Sequence, residues 1–193
     1  FLFSIFMISL ISISANEIPH QETTSQIDSL KEGISYALTE KGVGALLSLT
    51  FINNIFIMGP AYIGIPVFVR EVLNEEFSVY AQMETAMAVG MLIGSLIFWK
   101  ISKNINPISI LLFGIVMDGI TYALLYLSKN SISAILVLLI HGVGIPLIIV
   151  SRTTIIQNVV PDEFRGRIFS LIYMAVMGTT ALSILLTGLM LEM

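Results

Sequence analysis

Arg152-Thr-Thr-Ile-Ile-Gln157-Asn-Val-Val-Pro161-Asp162-Glu163-Phe-Arg165-Gly166-Arg167 decides the fold class of this chain. The stretch carries three arginines and stands between two long apolar runs, 130–151 and 168–191. The first run has no formal charge and one histidine, and the second has no charge at all. A short basic connection between two such runs has the character of a cytosol-facing loop of a membrane protein.

Composition supports that reading. Of 193 residues, 56% are hydrophobic and only 11% are charged, with a mean hydropathy of +0.94. Soluble domains carry about 25% charged residues, and a soluble fold of this length cannot hide so much apolar surface. The net charge of −4 gives no sign of a nucleic-acid partner. The absence of cysteine excludes disulfides and thiolate metal sites.

A spanning helix needs about 20 mostly apolar residues. Five segments meet that length, at about 42–69, 77–99, 104–128, 130–151 and 168–191. The second contains one acid, Glu84, and the third one acid, Asp118. In hydrocarbon the backbone must bond to itself, and these runs are too long and too uniformly apolar for barrel strands. The expected fold is therefore all-α and membrane-embedded. Pro60 and Pro66 are expected to kink the first full span. Residues 1–15 are apolar but lack a basic start and an initiator Met, so they read as the end of a truncated transmembrane helix, with a cleaved signal as the alternative.

Orientation follows from lysine and arginine. Lys31, Lys41, Lys100, Lys103, Arg152, Arg165 and Arg167 fall on one side, and Arg70 and Lys129 on the other. The richer side is expected to be cytosolic, which puts loops 16–41, 100–103 and 152–167 in the cytosol. In the long loop, Ile27, Leu30, Ile34 and Ala37 with Leu38 recur at helical spacing. Ser25, with Asp28 three residues on, marks a helix start. An amphipathic helix lying on the membrane surface is expected there.

Several elements in order carry a family resemblance: Leu30-Lys31-Glu32-Gly33-Ile34-Ser35-Tyr36, then Ile65-Pro66-Val67-Phe68-Val69, then Glu84-Thr-Ala86 through Gly90 to Gly94, and finally Gln157-Asn-Val-Val-Pro161 through Arg167 to Ser170. Together they resemble the major facilitator superfamily, and within it the drug and siderophore exporters of the macrolide-efflux and enterobactin-export type. The resemblance implies a partial fold of that family. Residues 1–15 would end its sixth helix, 16–41 would form the cytosolic inter-lobe loop, and 42–193 would be the C-terminal lobe lacking its last helix. The partners it implies are the lipid bilayer, a small-molecule substrate, protons and the missing N-terminal lobe, in the cell's plasma membrane. One departure is plain: Phe98 stands where the family's loop between helices eight and nine often keeps an acid.

Five polar residues are candidates for proton coupling or substrate contact. An acid inside a membrane helix is costly unless paired or hydrated, which singles out Asp118 near the middle of its span. His141 is also near mid-span, and histidine titrates near neutral pH. An Asp118–His141 pair is one expectation; a packed neutral histidine and a hydrogen-bonded acid are the bland alternative. Glu84 lies in the outer part of its helix, where snorkelling to the interface is the alternative. Asn53 and Asn54 supply polar groups to a cavity, or satisfy backbone near Pro60. Ala86, Gly90 and Gly94 recur every four residues and read as a helix-packing stripe. Arg152, Gln157, Pro161, Asp162, Arg165, Gly166 and Arg167 read as a gating element of ion pairs exchanged between states. No phosphate-cradling loop, metal-binding spacing or catalytic constellation occurs, so neither a cofactor nor enzymatic activity is expected. The leading reading is a proton-coupled exporter of amphiphilic small molecules. An importer in the same fold and a non-transporting scaffold or inactive fragment are the alternatives.

Overall fold

The computed structural model describes residues 2–10 and 25–193, and every described element is a helix. Residues 11–24, which hold the end of the expected first helix and the start of the expected loop, lie outside the described residues. The elements are α1 (Leu2–Ser9), α2 (Gln26–Thr39), α3 (Lys41–Gly59), α4 (Ile65–Val67), α5 (Phe77–Ile101), α6 (Pro107–Tyr126), α7 (Ser131–Val159) and α8 (Asp162–Leu191). Two π-helical turns, Pro60–Gly64 and Phe68–Val72, flank α4 and join it to α3, so Lys41–Val72 runs as one span. Five helical stretches are long and apolar enough to cross a membrane: Lys41–Val72, Phe77–Ile101, Pro107–Tyr126, Ser131–Val159 and Asp162–Leu191. The fold is that of an all-α membrane protein.

The helix ends have local causes. Asn106 caps α6, its side chain accepting from Ile108 N at 2.9 Å, and Pro107 follows at the first position, where a missing N–H costs nothing. Asn130 caps α7 in the same way through Ser133 N at 2.9 Å. Asn74, at φ 52, makes the tight turn into α5, a backbone region that asparagine tolerates better than most residues. Pro60 and Pro66 each remove an amide donor, and the chain around them takes up wider π turns within one continuous helical stretch.

Arg152–Arg167 departs most from expectation. The anticipated loop is two helix ends and a tight turn: α7 continues to Val159, only Val160 and Pro161 are non-helical, and α8 begins at Asp162. The reason is that arginine marks the edge of the apolar zone without breaking a helix. No glycine or proline interrupts residues 152–160, so the helix persists until the residue before Pro161, which proline forces into extended backbone. Asp162 and Glu163 then sit in the first turn of α8, where acids complement the helix dipole.

Packing divides the bundle into two groups. α5 and α6 pack on α7, while α3 packs on α8. Gly90 and Gly94 of α5 lie directly against the backbone of α7 at Leu139 and Val143. Gly142 of α7 lies against the backbone of α5 at Met87. A Cβ at any of the three would collide with a carbonyl oxygen, so the stripe Ala86–Gly90–Gly94 permits backbone contact between these helices. Two apolar clusters join the groups. One lies at the end carrying Arg165 and Arg167 (the basic end) and includes Val43, Leu46, Leu111, Ile156, Val160, Ile168 and Ile172. The other lies at the opposite end and includes Ile65, Val69, Val79, Met83, Leu125 and Leu138.

The amphipathic helix expected in the long loop forms, and it docks on the bundle. α2 buries Gly33 and Ala37 against α3 and α8, with Leu30 and Tyr36 half-buried beside them. Ile27, Ile34 and Leu38, expected on its apolar face, remain exposed. Ser25 occupies the N-cap without a side-chain cap bond. Glycine at 33 lets α2 approach α8, since a Cβ there would lie 3.1 Å from Arg167 Cβ.

Candidate functional site

Between the two apolar clusters lies a cavity of about 320 Å³, walled by α3, α5, α6 and α7. That volume is at the low end of small-molecule sites, which run about 300–1,000 Å³. Its wall is largely aliphatic; the polar residues on it include Thr50, Asn53, Asn54, Glu84, Asp118, His141 and Arg152, with the phenols of Tyr62, Tyr80 and Tyr122.

Asp118 is the hub. It is 4% exposed, and its two carboxylate oxygens face different helices. Oδ1 lies 3.2 Å from His141 Nδ1 on α7, and Oδ2 accepts from Asn53 Nδ2 on α3 at 3.2 Å. One side chain thus ties α6 to both packing groups across the cavity. The α6 sequence makes this possible: Gly114, one turn earlier, lets α6 close on Leu147 and Ile148 of α7 and brings Asp118 level with His141.

His141 is 5% exposed, and its ring is fixed on two sides. Tyr122 packs edge-on against it at 5.0 Å between centroids. Thr121 Oγ1 lies 2.9 Å from Nδ1 and also 2.9 Å from the carbonyls of Met117 and Asp118. The threonine hydroxyl has one hydrogen, which its own helix carbonyls take. The bonding network therefore assigns the hydrogen between the ring and its neighbours to Nδ1, pointing at Thr121 and Asp118. Nε2 is left as the ring atom that gains or loses a proton.

The remaining candidates divide. Glu84 is half-buried on the cavity wall, with the Tyr80 hydroxyl beside it. Tyr122, on the same wall, is electrostatically close to both Glu84 and Asp118. Asn53 and Asn54 both line the cavity, but Asn53 reaches Asp118 and Asn54 bonds to α8. Its Nδ2 lies 3.0 Å from Val176 O, 2.8 Å from Thr179 Oγ1 and 3.0 Å from Thr180 Oγ1, all on α8. That polar seam continues at Ser183, whose hydroxyl donates to Ile55 O at 2.5 Å and accepts from Gly59 N at 2.6 Å. The hydroxyls of Thr179, Thr180 and Ser183 were missed in the sequence. Their spacing of about one turn within a charge-free run was the available signal, but hydroxyls in helices commonly bond their own backbone.

The residues grouped as a gating element also separate. Arg165 pairs with Asp162, and it donates to Val160 O at 3.0 Å and Gln157 O at 2.5 Å, capping the carbonyl end of α7. Gln157 contributes its backbone carbonyl, and its side chain is exposed. Arg167 reaches α2, with Nη1 2.7 Å from Glu32 Oε2, and lies over the Phe164 ring at 5.2 Å. Tyr36 stacks on the same Phe164 at 4.5 Å. Pro161 caps α8, and a Cβ at Gly166 would meet open space. Arg152 does not join this group: it lies on the cavity wall, half-buried within α7. Among the described residues no three metal-ligating side chains cluster.

The family model described as Major Facilitator Superfamily matches residues 1–184. No curated protein and no solved structure matches the chain.

Proposed function

The chain belongs to the major facilitator superfamily and is a membrane transporter, and from that premise we propose that it couples proton movement to the export of amphiphilic small molecules. The direction, the coupling ion and the substrate class are our reading. So are the placement in the plasma membrane with the basic end in the cytosol, the assignment of 42–193 to a C-terminal lobe, and an N-terminal lobe as its partner.

One observation carries the proposal: a buried acid and a buried histidine meet at the wall of a largely apolar cavity, and the acid is shared with a third helix. Protonating Asp118 removes the charge that Asn53 and His141 both address. Protonating His141 at Nε2 strengthens its hold on Asp118 and leaves the Asn53 bond to compete. Each proton event therefore changes how strongly α3 is tied to α6 and α7. Inter-helix polar bonds in membranes are worth about 0.6 kcal/mol on average. That is small enough for a proton or a bound substrate to tip, which alternating access requires. Glu84 and Tyr122 extend the polar line from Asp118 along the cavity wall and offer a route for the proton.

The test is dye uptake into inverted vesicles carrying the protein, whose outer face is the cytosolic one, under an imposed proton gradient, acid inside. Uptake that collapses with the gradient, and falls at least tenfold in Asp118→Asn, supports the reading. Uptake indifferent to the gradient removes proton coupling, and loss of preloaded dye from the lumen in place of uptake makes the protein an importer.

A further inference from the structure

The cavity wall also carries a cation that the proton-coupling reading leaves unused. Arg152 lies eleven residues beyond His141 on α7, about 16 Å along the helix. Among the described residues lining the cavity it is the single arginine or lysine. The acids of the same wall are engaged elsewhere: Asp118 with His141 and Asn53, Glu84 beside Tyr80. At the basic end, Arg165 and Arg167 each have a carboxylate, Asp162 and Glu32. No carboxylate lies within ion-pair distance of Arg152 among the described residues, and its electrostatic neighbour is the phenol of Tyr173 on α8. Its guanidinium is thus half-buried on the cavity wall, toward the basic end of α7, with no counter-charge in reach among the described residues. It is also the group best shaped for two-point contact with a planar anion. From Arg152 back toward His141 the wall is aliphatic, formed on α7 by Ile145, Ile148 and Ile149.

We propose that Arg152 is the recognition site for the carboxylate or phosphate of an amphiphile whose apolar body lies along Ile145, Ile148 and Ile149. The proposal rests on the reading of this cavity as an amphiphile site and names the head group it selects. A transported solute and a phospholipid head group present the same anionic chemistry. The charge order along the cavity, with acids at Glu84 and Asp118 and the cation at Arg152, fixes the polarity in which such a molecule enters.

Photo-crosslinking with a diazirine-bearing palmitate and its primary amide tests this, with the protein in phosphatidylcholine vesicles and the labelled peptides mapped by mass spectrometry. The carboxylate is expected to label the cavity segments of α7 at concentrations at least tenfold lower than the amide. Arg152→Gln should bring the carboxylate down to the amide's level, and Arg152→Lys should keep part of the preference. Equal labelling by the two probes in the unaltered protein, or a preference that survives Arg152→Gln, overturns the anion site. Cavity labelling by the amide in those cases leaves the amphiphile reading standing and confirms that the variants fold. Failure of both probes to label the cavity overturns both readings. Added phosphatidylglycerol separates the sources. Suppression of carboxylate labelling that requires Arg152 assigns the anion to a lipid head group, and indifference to the lipid assigns it to a free solute; either outcome upholds the site.

Discussion

His141 Nδ1 lies 3.2 Å from Asp118 Oδ1, joining α7 to α6 where both side chains are almost wholly withdrawn from solvent. A buried pair of this kind is weak support for stability while intact and costly when halved. Removing one partner typically costs about 3–5 kcal/mol, whereas replacing both with apolar residues is often neutral. His141→Leu should therefore lower the unfolding midpoint markedly, and the double variant Asp118→Leu with His141→Leu should recover most of the loss. Thermal unfolding in detergent checks both. A double variant no more stable than His141→Leu would mean that the two side chains do not act as a pair.

The bond from Asn53 to Asp118 crosses the cavity and predicts a smaller effect. Asn53→Leu should cost about 1 kcal/mol, within the range of single polar bonds between membrane helices. Its effect on transport should be disproportionate, because the bond links the two packing groups. Asn54→Leu should do the opposite, destabilising the α3–α8 seam, where Asn54 has three partners, with less effect on proton coupling. Measuring stability and transport side by side for the two variants distinguishes them.

Close contact between α5 and α7 predicts that Gly90→Val and Gly142→Val each prevent normal packing, because the added side chain meets a carbonyl of the facing helix. Gly166→Ala should be tolerated, since nothing occupies that space. Expression level and monodispersity in detergent report the difference.

The pair Arg167–Glu32 holds α2 to α8, with Tyr36 stacked on Phe164 beside it. Partly exposed pairs contribute about 0–1 kcal/mol. Reversing the charges (Glu32→Arg with Arg167→Glu) should restore whatever either single change removes, read as protection of α2 from proteolysis. Protection unaltered in the single variants would leave the aromatic stack as the clamp.

Much of this was legible in the sequence, for physical reasons. The five spans follow from apolar length, because hydrocarbon permits little else. Asp118 and His141 stood out because polar groups are scarce in such runs. Their contact was readable only as an expectation, since register between helices depends on Gly114 and on the α5–α7 glycine contacts. Arg152 was misread because charge was taken to end a helix, whereas the helix runs on to Val159. Asn53 and Asn54 are neighbours in sequence, yet successive helical residues point about 100° apart, and only the packing of α8 shows that Asn54 bonds there while Asn53 reaches Asp118.

The central claim is that the Asp118–His141 site exchanges a proton when substrate occupies the cavity. The most direct measurement is proton release or uptake by the purified protein, in weakly buffered solution with a pH-sensitive dye, on adding a transported dye. The account predicts about one proton exchanged per bound molecule, lost in Asp118→Asn while the dye still binds. Dye binding with no proton exchange in the unaltered protein, or exchange that persists undiminished in Asp118→Asn, would contradict it.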